Sequence, residues 1–205
     1  MPSGRTHDRI TLWALPWVTG FAFVQTRNAN LTLLVAGGFI FGGLMFGPDL
    51  DIYSRQYKRW GLLRWIWIPY QKSLRHRSFL SHGPIIGTSL RVLYLGSIAV
   101  TVVLFSVVVG EKLGNKSWSW RIFCQTWGRS LLAYQREIIA VFWGLELAAM
   151  THYLSDWSGS TYKRLRSSGI RGLLMHGKIN KRQAIAQRRR RLRAKTNANR
   201  RKQRS

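Results

Sequence analysis

The stretch FGGLMFGPDLDIYSR, residues 41–55, decides the reading of this chain. An apolar, glycine-rich run over residues 29–47 ends there in two aspartates, Asp49 and Asp51, in a chain that has only four. A bilayer core of roughly 30 Å takes about 20 helical residues, so the run is a candidate membrane span with carboxylates at its mouth. Pro48 ends the helix and sets the aspartates in a turn.

Three further apolar runs accompany it, at residues 10–26, 92–110 and 131–150. The first carries Pro16 and Gly20. The third of the four, VLYLGSIAVTVVLFSVVVG, is the clearest, and its helix is expected to begin near Pro84 and so to include Arg91. The last contains Arg136, Glu137 and Glu146. Within the second, GGFIFGG offers small residues at which neighbouring helices can approach closely. The pattern predicts an all-α, polytopic membrane bundle of about four spans, with no internal repeat and no glycine-rich phosphate loop.

The loops supply an orientation. Arg55, Lys58, Arg59, Arg64, Lys72, Arg75 and Arg77 lie between the second and third runs, and residues 163–205 hold 17 of the 33 Lys and Arg with no acidic residue. The positive-inside rule assigns both segments to the cytoplasm. Four spans satisfy this, with both termini inside and residues 111–130 outside. The segment RWGLLRWIWIPYQK, with Trp60, Trp65, Trp67 and Tyr70 among cations, is expected at headgroup level. Arg91 and Glu146 fall at similar depth in antiparallel helices and are expected to pair, which lowers the cost of burying each.

Composition sets the outer limits. The chain has 205 residues, 46% of them apolar, and a net charge of +26. That length suits one domain with appendages: a membrane-embedded metal-binding domain over residues 1–160, and a basic, flexible or partly helical tail over 161–205. The single Cys124 excludes an internal disulfide and a cysteine-rich metal cluster, and points to a reducing compartment. The polar start, MPSGRTHDR, reads as no cleaved signal peptide.

The chemistry-bearing residues converge. His7 and Asp8 precede the first span, Asp49 and Asp51 end the second, His76 and His82 precede the third, and His152 and Asp156 end the fourth. All four Asp and four of the five His thus fall at the cytoplasmic mouth. His with carboxylate suits borderline divalent ions, Zn²⁺ or Mn²⁺ first. His152 and Asp156, four residues apart, share a helix face if the last span continues one more turn. So many donors suit two ions, or one ion with outer carboxylates orienting the histidines. Such an ion activates water for hydrolysis, with Asp49 and Asp51 at the reacting centre. Arg75 and Arg77 flank His76 and could hold a phosphate, and Arg77 is the chosen substrate-binding residue. His176 has no carboxylate companion, and Glu111 and Glu137 belong to the far side.

In order, SGRTHDRIT, GPDLDIYS, RWG.LR.IW.PY, HRSFLSHGPIIGT and HYLSDW resemble a family of bacterial membrane proteins of unknown function that are predicted to bind metal. They are more distantly similar to the LexA-regulated membrane-bound metal-dependent hydrolases, with their Pro-Asp-x-Asp and His-Arg-Gly-x-x-His motifs. The resemblance covers residues 1 to about 160. It implies a metal, a hydrolytic activity, a helical core like that of zinc-dependent phospholipase C and P1-type nucleases, and a bacterial inner-membrane location, or a thylakoid one in a photosynthetic source. Carried over by motif, the implied ligands are His7, Asp49, Asp51, His76, His82, His152 and Asp156. Ser78 stands where the hydrolases have Gly, and the interval from His76 to His82 is one residue longer than theirs, so the two histidines need not share an ion.

Two functions follow as expectations. One is a metal-dependent hydrolase acting on an ester, above all a phosphoester, in or near the membrane. The other is a non-catalytic assembly factor or scaffold in which a structural metal fixes the helix ends and the tail recruits anionic lipid headgroups, nucleic acid or a protein partner. A metal transporter fits less well, because its donors would lie near mid-membrane.

Overall fold

The computed structural model describes residues 4–74, 76, 78–114 and 119–174. They are helical and carry no strand. Long helices α1 (Gly4–Thr26), α2 (Ala29–Leu44), α6 (Ile86–Gly114) and α8 (Gln135–Leu174) alternate with short ones: α3 (Arg55–Arg59), α4 (Ile68–Ser73), α5 (Phe79–His82) and α7 (Trp120–Ala133). Two 3₁₀ turns, Pro48–Asp51 and Gly61–Trp67, complete the path. The chain divides into two compact units, residues 1–156 and 157–205. Of the second, the described part is the end of α8; the remainder of the expected tail, from residue 175, lies outside the described residues.

Among the described residues, three helices are long and apolar enough to cross a membrane: Ala29–Asp51, Ile86–Leu113 and Gln135–Ser167. Helix α1, the expected first span, has the length but is not among them, because Thr11, Pro16, Thr19, Gln25 and Thr26 dilute its apolar window. The most hydrophobic window, in α6, buries none of its side chains. Val100, Val102, Phe105 and Val108 all face outward, an apolar surface that water does not suit.

The α1–α2 hairpin closes at Arg27–Asn28. Arg27 takes a positive φ of 49°, and the Asn28 side chain accepts the Leu31 N–H at 3.1 Å, capping α2. Helices α2 and α8 meet through small residues. A Cβ added to Gly38 would lie 2.6 Å from the Val141 carbonyl oxygen, and one on Gly42 would lie 2.8 Å from Ala148 Cβ. This is the close approach that GGFIFGG promised.

The main core is aromatic. Phe46, Leu50, Tyr57, Trp67, Tyr70 and Leu145 are buried together, with Trp67 edge-on to Phe46, Trp60 and Tyr70. Within the segment expected at headgroup level, Trp67 at the end of the 3₁₀ turn and Tyr70 in α4 turn inward as the floor of this core, where burial pushes the Tyr70 phenol up to about 12. Leu62, Leu63 and Trp65 stay exposed. A 3₁₀ repeat of three residues per turn separates Trp65 from Trp67 onto different faces.

The expected Arg91–Glu146 ion pair is also corrected. Both residues are buried, yet each bonds to the α5–α6 connection and not to the other. Arg91 donates to the Ser81 carbonyl at 3.1 Å and to Thr88 Oγ1 at 2.9 Å, and Glu146 Oε1 accepts the Ile85 N–H at 2.9 Å.

Candidate metal centre

The Pro48–Asp51 turn presents its two aspartates by burying what lies between them. Gly47 enters extended with φ −83° and ψ 179°, Pro48 starts the turn, and Leu50 is wholly buried. Gln56 and Gln71 tie the turn down: Gln56 Nε2 donates to the Gly43 carbonyl at 2.9 Å and Gln71 Nε2 to the Leu50 carbonyl at 3.0 Å. Asp49 and Asp51 therefore project from a backbone fixed on both sides.

Three other elements bring the histidines. His7 sits in the opening turns of α1 and is buried. Ser78 caps α5, its Oγ accepting the Ser81 N–H at 3.3 Å, which places His82 at the end of that short helix. Helix α8 continues past residue 150, so His152, Ser155 and Asp156 share one face, at positions i, i+3 and i+4.

Two trios result. In the first, His7, His152 and Asp156 each offer a donor atom within 4.8 Å of the others. The His7 and His152 rings stack with centroids 4.0 Å apart, His7 Nε2 is 3.3 Å from Asp156 Oδ1, and His152 Nε2 is 3.8 Å from Asp156 Oδ2. In the second, Asp49, His76 and His82 meet the same criterion. Asp51 stands behind that trio, with Oδ1 2.8 Å from His76 Nδ1 and Oδ2 3.6 Å from His82 Nδ1. The trios touch where Asp49 Oδ1 lies 3.5 Å from His152 Nε2.

The histidines are electrostatically prepared. Burial first, and then the neighbouring His152, lowers the His7 pKa below its usual 6.5, and burial likewise lowers that of His82. Both shifts favour the neutral ring, the form that keeps a lone pair for a metal. Four buried atoms, Asp51 Oδ2, His82 Nε2, His152 Nε2 and Asp156 Oδ1, have no hydrogen-bond partner. Leaving such an atom unsatisfied costs about 1–3 kcal/mol. A divalent cation among them would satisfy acceptors that no protein donor reaches, so the residues present fit a metal. A cavity of about 20 Å³ opens beside His7, Asp49 and His152, room for one water or ion.

All seven sequence-derived ligands are thus drawn into one region. His76 and His82 come to the same trio despite their longer interval. Arg75, Arg77 and His176 lie outside the described residues. Asp8, beside His7, turns away to bind two cations: Arg55 Nη1 at 2.8 Å and Arg59 through two bonds at 2.8 Å. Ser155 was missed. Its Oγ lies 2.7 Å from His7 Nδ1, and its place one residue before Asp156 on the His152 face was the signal. Ser81, whose Oγ is 2.9 Å from His82 Nδ1, was missed too; its place immediately before His82 in α5 was the signal.

Described residues that are helical throughout, with three span-length helices and two His–Asp trios, define a class: helical proteins with metal-ligand clusters gathered at helix ends. The family model described as uncharacterized metal-binding protein (DUF2227) matches residues 2–166, and the chain belongs to that family. It is also similar to an uncharacterized protein of Aquifex aeolicus, 36% identical over 59 residues, which is 28% of this chain and 41% of the relative. The chain thus matches less than half the length of that relative. No solved structure matches the chain.

Proposed function

We propose that this protein is an integral membrane metalloprotein that binds one or two divalent ions, Zn²⁺ or Mn²⁺, through His7, His152 and Asp156 and through Asp49, His76 and His82, and hydrolyses a phosphoester in or near the membrane. The carrying observation is the pair of trios joined at Asp49 and His152, with buried acceptor atoms that have no partner.

Asp51 accepts from His76 Nδ1, which leaves His76 Nε2 for the ion; carboxylate behind histidine is the usual outer arrangement at metal sites. Ser155 holds His7 by Nδ1 in the same way and leaves Nε2 toward Asp156. The ion supplies Lewis acidity and acidifies a water. Asp49, between the trios, would serve as a ligand within reach of either trio or hold a proton released by the water, and Arg77 would receive the substrate anion.

The membrane setting follows from span-length helices whose apolar faces have no protein cover. Helix α1 joins as a fourth span, since Leu12, Trp13, Trp17, Phe21 and Val24 are exposed along it and it packs on α2. With four spans, the basic loop and tail lie on the cytoplasmic side of a bacterial inner membrane. The tail adds attraction to anionic headgroups or nucleic acid. Exposed Phe79 and Leu80, in the same short helix as His82, suit contact with lipid, hence a lipid phosphoester as substrate class.

A second reading, a scaffold with a structural metal, is favoured by one observation: the cavity beside His7, Asp49 and His152 is only about 20 Å³, room for one water or ion and not for a substrate. Elemental analysis of the detergent-purified chain, followed by phosphodiesterase and phosphomonoesterase assays, tests both. Bound metal with turnover supports the hydrolase. Bound metal without turnover, in a protein whose stability collapses on chelation, supports the scaffold. Absence of metal, with no uptake of Zn²⁺ or Mn²⁺, overturns both.

A further inference from the structure

Two buried charges remain without a role in the trios. Arg91 of α6 and Glu146 of α8 are each 1% exposed, and a charge inside a span-length helix is costly unless it does something specific. They grip opposite ends of one short turn. Arg91 Nη1 donates to the carbonyl of Ser81, in the last turn of α5, while Nη2 is anchored on Thr88. Glu146 Oε1 accepts the N–H of Ile85, which precedes the first residue of α6.

Between these two grips lies His82. The turn needs holding, because Ile85 adopts φ +62°, a left-handed conformation that is unfavourable for a β-branched residue and persists only where surroundings enforce it. Ser81, held by Arg91 through its carbonyl, also meets His82 Nδ1 with its hydroxyl.

We propose that Arg91 and Glu146 are positioning residues that clamp the turn from Ser81 to Ile85 and so hold His82 in register with Asp49 and His76. The clamp rests on the reading of the trios as metal ligands only for its effect on affinity; its geometric effect stands apart from it. Because Glu146 lies on the helix that carries His152, the clamp also ties the second trio to the helix that supplies the first.

The test uses the full chain in detergent with four variants, Glu146→Ala, Glu146→Gln, Arg91→Lys and His82→Ala. Two readouts are taken: the rate at which diethyl pyrocarbonate labels His82, with His7 as internal control, and Zn²⁺ affinity by titration. Glu146→Ala and Arg91→Lys are expected to raise His82 labelling several-fold and leave His7 unchanged. Glu146→Gln, which keeps an acceptor for the Ile85 N–H, stays near wild type. Lysine cannot reproduce the fork of Arg91 to Ser81 and Thr88, so Arg91→Lys carries the test if Glu146→Ala does not fold. Zn²⁺ affinity is expected to fall about 10–100-fold in Glu146→Ala, with no further loss when it is combined with His82→Ala. Unchanged His82 labelling in Arg91→Lys, or losses of affinity that add fully in the double variant, would overturn the clamp. A wild type that binds no Zn²⁺, but whose His82 is still released in the variants, would overturn the metal reading and leave the clamp standing.

Discussion

Asp49 Oδ1 lies 3.5 Å from His152 Nε2, and this contact is the seam between two donor trios, one of residues 7, 152 and 156 and the other of residues 49, 76 and 82. A carboxylate there belongs to whichever ion is present, or to both. Asp49→Ala is therefore expected to lower Zn²⁺ affinity by more than about 100-fold, beyond the 10–100-fold typical of an outer partner. His152→Ala should strip the first trio and leave the Asp49, His76 and His82 donors in place. Elemental analysis of both variants, normalised to folded protein, reads this directly.

Ser155 bonds His7 Nδ1 at 2.7 Å and donates to the His152 carbonyl at 2.9 Å. Ser155→Ala is expected to free the His7 ring and reduce metal affinity about 10–100-fold while metal content at saturation stays that of wild type. An equal loss of stoichiometry would mean that Ser155 acts as more than a holder of His7.

Burial lowers the pKa of His7 and of His82. The unfolded chain therefore takes up protons at these sites before the folded one does. The metal-free protein should show a flat thermal midpoint above the ordinary histidine value of 6.5, with stability lost as pH falls below it through the lowered folded values. Metal loading deepens the dependence, because protons and the ion compete for the same ring nitrogens. Thermal scans from pH 8 downward, with and without chelator, check both statements.

At Gly38 any side chain would press on the Val141 carbonyl of α8. Gly38→Leu is expected to destabilise the fold by about 1–3 kcal/mol through overpacking. Because α8 carries His152 and Asp156, metal affinity should fall with it, whereas Gly37→Leu, at a position with open space around its Cβ, should do neither. Thermal midpoint and Zn²⁺ titration of the two variants separate them.

Much of this was legible in the residues. Apolar runs of span length predict helices whatever they pack against, because backbone hydrogen bonding and apolar length act locally. The gathering of His7, Asp49, Asp51, His76, His82, His152 and Asp156 also followed from order along the chain, since each falls at the end or start of an apolar run and antiparallel helices return such ends to one level. The glycines of GGFIFGG announced a close helix contact for the same local reason.

What only the tertiary structure decided concerns partners. Sequence placed Arg91 and Glu146 at one depth and paired them by charge; the folded chain gives each a backbone group of the strained Ser81–Ile85 turn instead, because a long side chain bonds what its rotamer reaches. In the segment read as interfacial by its cations, the 3₁₀ turn and the helix after it carry Trp67 and Tyr70 into the core. The division of the donors into two trios, with Asp51 behind one and Ser155 behind the other, depends on side-chain direction over a few ångströms. Composition and spacing specify which helix ends meet; they carry no information on which oxygen faces which nitrogen, and the packing of the whole bundle sets that.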